Sequence, residues 1–319
     1  MDNISTIAEP FKDPKYLLHQ VKFGILLALQ IPATILSVFI FAFFLSRRTV
    51  LHSLQNQALL LLLVVNFMQL SMTLPIALHF FHLGRVVPAT AAVCTWWTYI
   101  EYTLNIANQF IVAIMSLQRH LLVFQPNLLR TRLKLWLLYY LPLLVSVFYP
   151  AAFFMYTNVI YACDGTQWDY LLNLCGDAPC YLLYDPILSL YDWIANTIVP
   201  MALIILASLA LIVRVIRQKY RRHQAISWSK QRRLILQLLS ISGLYLIAWL
   251  PNTIVNLIRI LYWPDFLGIT ADDYLADLVY LVCIFLPWVC VGLLPDFKKW
   301  ISTKYRARAQ LRNQVVSIL

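Results

Sequence analysis

Apolar residues run along this 319-residue chain in seven long blocks separated by shorter polar stretches. The blocks lie near residues 23–45, 54–80, 90–123, 133–156, 186–214, 233–261 and 274–295. Each is long enough to cross roughly 30 Å of hydrocarbon as a helix, which takes about 20 residues. Backbone groups facing lipid need partners within their own segment, and a helix supplies them. The alternating ten-residue pattern of a membrane β-barrel is absent. The pattern therefore predicts an all-α membrane protein, a seven-transmembrane helix bundle over 23–295, with a polar N-terminal tail at 1–22 and a further segment at 296–319. In that last segment Pro295 and Asp296 suit a helix start. Phe297, Trp300, Ile301 and Tyr305 fall on one face, ringed by Lys298, Lys299, Lys304 and Arg306. This predicts a short amphipathic helix in the membrane interface.

Composition agrees: 61% of residues are hydrophobic and only 12% charged, too few to coat a water-soluble globule of this length. Charge then orients the bundle. Of 25 Lys and Arg, 20 flank the same ends of the spans, after the first, third, fifth and seventh blocks. By the positive-inside rule that side is cytoplasmic. Of 14 Asp and Glu, only Asp296 falls there. The N-terminus is thus expected outside the plasma membrane and the C-terminus in the cytoplasm. The first 22 residues have no basic start followed by an apolar core, so no cleaved signal peptide is expected. The net charge of +11 adjoins membrane spans, and anionic lipid accounts for it without nucleic acid.

Cys94, Cys163, Cys175 and Cys180 all fall on the outer side, where disulfides form, and four cysteines permit three pairings. Asn3 opens an outward-facing glycosylation sequon. No inverted repeat or pair of broken helices suggests a transporter or channel, the main alternative class. No intramembrane cluster of His, Asp and Glu suggests an enzyme or a metal site. His79 and His82 are three apart but have no third ligand nearby.

Several spacings then coincide. Cys94 opens the third block, Arg119 follows 25 residues later and Pro126 seven beyond that. Pro200 stands in the fifth block; Tyr245, Trp249 and Pro251 in the sixth; Pro287 and Cys290 in the seventh, followed by Asp296 and Phe297. In these motifs the chain resembles the rhodopsin-like (class A) G-protein-coupled receptors, as a divergent member. The resemblance implies a receptor for an extracellular ligand that activates a heterotrimeric G protein, with Gln118, Arg119, His120, Tyr245, Trp249, Pro251 and Pro287 forming the coupling and switch region. It also implies a bridge from Cys94 to Cys180, leaving Cys163 with Cys175; Cys94 with Cys175 is the alternative.

The departures from the family pattern alter the expected switch. Gln118 replaces the acidic residue beside the arginine, and Gln231 replaces its partner carboxylate on helix 6, so no ionic lock is expected. Asn66, Asn108 and Leu286 stand at the family's sodium-site positions. With no carboxylate there, no bound sodium is expected. The family's retinal-binding lysine is replaced by Tyr280, so no cofactor is expected.

Glu101 is the ionisable group most deeply set in a block, and such groups mark sites by default. By family position it faces Tyr280, with Trp97, Tyr102 and Asn105 near it on the third helix. Asp192 and Asn196 on the fifth, Trp249, Asn252 and Asn256 on the sixth, and Asp277 on the seventh complete the expected pocket. Its acidic character favours a cationic ligand, an amine or a basic peptide.

Overall fold

The computed structural model of the chain describes residues 14–51, 53–124, 131–161, 165–176, 179–221, 228–263, 266–267, 274–275, 277–293, 297 and 299–303. Among these the chain is helical with no strand. Seven helical rods account for most of it: α1 Pro14–Ser46, α2 Leu54–Leu83, α3 Ala91–Phe124, α4 Arg132–Ile160, α5 Pro186–Arg217, α6 Trp228–Leu261 and α7 Leu278–Leu293. The α1 helix starts ahead of the apolar block, at Pro14, so the expected boundary at residue 22 falls inside it.

Among the described residues five stretches, in α1, α2, α4, α5 and α6, are long and apolar enough to cross a membrane. The remaining two rods are α3 and α7. At 34 residues α3 spans about 50 Å, but it carries Glu101, Asn105, Asn108, Gln109 and Arg119, all buried. It can hold them because it is the central helix, packed against α2, α4, α5 and α6, so these groups meet protein rather than lipid. The described part of α7 is only 16 residues long. Around α3, contacts run α1 to α2, α2 to α7, α5 to α6, α6 to α7 and α7 back to α1. Large apolar side chains such as Leu45, Phe148, Ile187 and Ile247 are exposed on the outside of the bundle, as a lipid-facing surface requires.

Proline spacing shapes the rods. Wide π-helical turns at Gln69–Thr73, Trp136–Tyr140 and Asp192–Ile198 each end two residues before a proline, Pro75, Pro142 and Pro200. Proline has no N–H to return to the carbonyl four residues back, so the ladder widens there and leaves carbonyls needing donors. Glutamines on neighbouring helices supply them. Gln30 Nε2 of α1 donates to the Leu70 carbonyl at 2.7 Å, and Gln118 Nε2 of α3 donates to the Tyr139 carbonyl at 2.8 Å. Gly84, in the left-handed conformation at φ 67°, ends α2, and its N–H closes on the Phe80 carbonyl at 2.7 Å.

After α7, residues 297 and 299–303 are again helical. Phe297 is fully buried, packs edge-on against Phe43 of α1 and stacks with Trp300. This is the apolar face expected of the amphipathic eighth helix; Tyr305 lies outside the described residues.

Candidate functional site

Glu101, Asn105 and Asn108 lie at intervals of four and three residues, so α3 presents them on one face. The wide turn of α2 places Gln69 against that face, and the four side chains form one chain of hydrogen bonds. Asn108 Nδ2 donates to Gln69 Oε1 at 3.1 Å, Gln69 Nε2 to Asn105 Oδ1 at 2.6 Å, and Asn105 Nδ2 to Glu101 Oε1 at 2.8 Å. An ionised carboxylate can only accept, and this fixes the orientation of every amide behind it. All three donors therefore point toward Glu101, which is 4% exposed. At the far end the buried Asn108 Oδ1 receives no hydrogen bond, nor does Asn66 Oδ1, one turn before Gln69 on α2. Asn66 Nδ2 instead ties α2 to the Cys283 carbonyl of α7 at 2.9 Å.

Tyr280 lies beyond Glu101, within the electrostatic reach of both Glu101 and Asp277, and its hydroxyl shares Asn173 of the 161–185 loop. Asn173 Nδ2 also donates to Asp277 Oδ1 at 3.4 Å. Asp277 is already neutralised within the protein, because Lys22 Nζ of α1 stands 2.6 Å from its Oδ2. The same ammonium sits over the rings of Phe81 and Tyr274. One lysine thus ties α1, α2 and the start of α7 together, directly beneath the loop.

That loop is held by a disulfide from Cys94 to Cys175, which corrects the expected pairing of Cys94 with Cys180. The reason is local folding. Asp169 Oδ1 accepts from the Leu171 N–H, the Asp169 N–H returns to the Cys175 carbonyl, and Leu174 and Cys175 both take left-handed backbone conformations. This tight turn brings Cys175 onto the start of α3. Cys180 instead opens a short helix, Cys180–Tyr184, and is itself disulfide-bonded. Cys163 and Asn3 lie outside the described residues.

Asp192 belongs to a different cluster from Glu101. Its Oδ1 accepts from Asn196 Nδ2 at 2.6 Å and its Oδ2 from the Tyr181 hydroxyl at 2.9 Å. Asn252 and Asn256 of α6 bond to each other at 3.1 Å. Tyr102 packs its ring edge-on against Phe154 of α4. Trp97 is fully buried in the core beside the disulfide, and Trp249 is half-buried. The structure therefore joins Glu101 to Asn105, sets Tyr280 within electrostatic reach of both Glu101 and Asp277, and gives Asp192 a hydrogen-bonded shell of its own.

At the other end of α3 three consecutive residues go to different neighbours. Gln118 bonds the α4 backbone as described, and His120 Nε2 meets the Ala207 carbonyl of α5 at 2.9 Å. Between them Arg119, 5% exposed, keeps its Nη1 without a hydrogen-bond partner. Tyr245 of α6 is buried with its hydroxyl unpartnered, close to where Ser116 and Ser242 approach to 3.5 Å. Pro251 lies within α6 and Pro287 within α7.

Sequence reading overlooked Gln69 and Lys22. Gln69 left a signal, a large polar residue in the middle of an apolar block. Lys22 sat in what read as a tail. Two surface concavities, of about 520 and 600 Å³, lie at the disulfide end, one beside Arg85 and Trp168 and the other beside His79 and Trp96. Neither is lined by Glu101.

Residues 36–291 match the family model described as 7 transmembrane receptor (rhodopsin family). No curated protein matches the chain.

Proposed function

The chain belongs to the rhodopsin family of seven-transmembrane receptors, and from that premise we propose that it binds a cationic extracellular ligand, an amine or a basic peptide, at Glu101 and activates a heterotrimeric G protein at the Arg119 end. In this reading the disulfide end faces outward, the basic ends of the spans face the cytoplasm, and the protein transmits a signal without catalysis.

The relay of amides carries the proposal. The Asn105 amide, itself held through Gln69 and Asn108, donates to Glu101 and holds the carboxylate in one direction, which pre-organises an acceptor for a positive ligand group. Tyr280 borders the same carboxylate, as the resemblance implies. Glu101 is buried, so a ligand reaches it by parting the seam at which Lys22, Asn173 and Asp277 meet.

Transmission has a physical route on the same helix. A ligand that takes up Glu101 competes with Asn105 for the carboxylate, and the amides behind it relax between α3 and α2. Seventeen residues further along α3, Gln118 pins α4, and two beyond that His120 pins α5. A ligand that favours a different placement of α3 then shifts the population in which Arg119 meets its partner. A panel of amines and basic peptides, read by nucleotide exchange on a reconstituted heterotrimeric G protein, tests the reading. Exchange driven by a cationic compound in the parent and lost in Glu101→Gln supports it. Equal potency in both proteins rejects it.

A further inference from the structure

We propose that the groove between α2 and α3 at the disulfide end binds one sterol molecule from the surrounding bilayer, held by its hydroxyl between His79 and Trp96. The groove has a volume of about 600 Å³, within the roughly 300–1,000 Å³ of small-molecule sites. Helical spacing builds its two sides. Pro75 and His79 lie four apart on α2, and Val93 and Trp96 lie three apart on α3, so each pair shares a face. The left-handed Gly84 stops α2, and Pro88 of the connection that follows also lines the groove. These faces do not build the core. On α2 the buried positions here are Leu74, Ala77, Leu78, Phe80 and Phe81, whereas Pro75, His79 and Trp96 are exposed, Trp96 at 47%. The groove therefore opens on the outside of the bundle, where a membrane component reaches it.

Apolar contact alone does not select an occupant in a bilayer, because lipid tails are as apolar as leucine. Selection rests on the polar tips and on shape. An indole N–H only donates, and a neutral imidazole both donates and accepts. Among the described residues neither His79 nor Trp96 has a hydrogen-bond partner within the protein. One hydroxyl matches both: its oxygen accepts from Trp96 Nε1 and its proton goes to the His79 imidazole. No lysine or arginine lines the groove to pair a phosphate or a carboxylate, and no aspartate or glutamate to pair an amine. The ligand is therefore an uncharged alcohol. Its body is rigid, because a fused-ring sterol loses little freedom against proline walls, whereas an acyl chain gives up rotamers along its length. Depth agrees. His79 lies four residues, about 6 Å, below the end of α2 at Leu83, and Pro75 eight residues, about 12 Å. The polar tips thus stand near the interface, where tryptophan is enriched, and the apolar wall runs on into the membrane.

The test uses the full chain in phosphatidylcholine nanodiscs containing a cholesterol that carries a photoactivatable diazirine on its ring body and keeps its hydroxyl. After irradiation the labelled peptides are located by mass spectrometry, with unlabelled cholesterol, its 3-ketone and palmitic acid titrated as competitors. The expected result is saturable labelling within residues 75–96 that cholesterol displaces. The ketone accepts a hydrogen bond but cannot donate one, and it should displace the label roughly two- to tenfold less well, the range of one hydrogen bond. Palmitic acid should not displace it. His79→Phe, at an exposed position, should weaken labelling by a similar factor. Ala92→Trp, also exposed, sets a ring in the groove and should remove the labelling. Labelling that does not saturate, or that spreads evenly around the bundle, overturns the proposal. So does labelling that persists in Ala92→Trp, that is unchanged in His79→Phe, or that the ketone or palmitic acid displaces as well as cholesterol does. Because the readout is direct binding at the outside of the bundle, failure of G-protein activation does not decide this question.

Discussion

Replacing Gln69 by leucine keeps the volume of the side chain and removes both bonds that join α2 to α3 in the relay. Interhelical hydrogen bonds in membrane proteins contribute about 0.6 kcal/mol on average and up to about 1.7, so the two account for roughly 1–3 kcal/mol. Asn105 Oδ1 and Asn108 Nδ2 are then left buried without partners, and each such group costs about 1–3 kcal/mol. Part of that cost is already counted in the lost bonds, and leucine packs well among apolar neighbours. The expected net destabilisation is therefore about 2–4 kcal/mol. Adding Asn108→Leu removes one of the two orphans, so the double variant is expected to be more stable than Gln69→Leu alone. Unfolding titrations in mixed detergent micelles read both numbers from the shift of the midpoint. A Gln69→Leu protein within about 0.5 kcal/mol of the parent, or a double variant no more stable than the single one, refutes the reasoning.

Lys22→Met removes the ammonium from Asp277 and keeps the hydrogen bond from Asn173. At 2.6 Å the gross attraction is about 6 kcal/mol for an effective dielectric constant near 20; desolvation offsets most of it, and a loss of about 1–3 kcal/mol is expected, partly restored by Lys22→Asp with Asp277→Lys in the same titration. The Cys94–Cys175 bridge closes a separation of 81 residues, for which chain entropy predicts about 4–5 kcal/mol; paired serine substitutions should lower the unfolding midpoint far more than either free cysteine of α7 does. Gln118→Asp removes the donor to the Tyr139 carbonyl and sets a carboxylate beside Arg119, so ligand-free nucleotide exchange should fall. Unchanged basal exchange contradicts that role for position 118.

The seven-rod architecture was legible because lipid imposes a length rule on apolar segments, and the rods follow the blocks to within a few residues at most ends. The α1 helix starts earlier because Tyr16, Leu17, Leu18 and Val21 continue it past the polar residues interspersed among them. The face carrying Glu101 and Asn105 was legible from helical spacing, whereas its partner Gln69 was not, since only the wide turn before Pro75 brings it there. The choice between Cys180 and the alternative, Cys175, as partner of Cys94 went wrong for a similar reason: a left-handed turn at Leu174 and Cys175, both non-glycine residues, has no spacing signature. The acidic mouth read from sequence combined charges that the fold separates. Lys22 neutralises Asp277, and Tyr181 with Asn196 encloses Asp192, both contacts between segments distant in sequence or folded back by a turn.

The central claim is that a cation at Glu101 drives coupling at Arg119. The most direct measurement is ligand-dependent nucleotide exchange on a purified heterotrimeric G protein, with parent, Glu101→Gln and Arg119→Ala proteins reconstituted in equal amounts. The account predicts that a cationic compound drives exchange in the parent, fails to bind Glu101→Gln, and binds Arg119→Ala without driving exchange. A compound that drives exchange equally in the parent and in Glu101→Gln contradicts it.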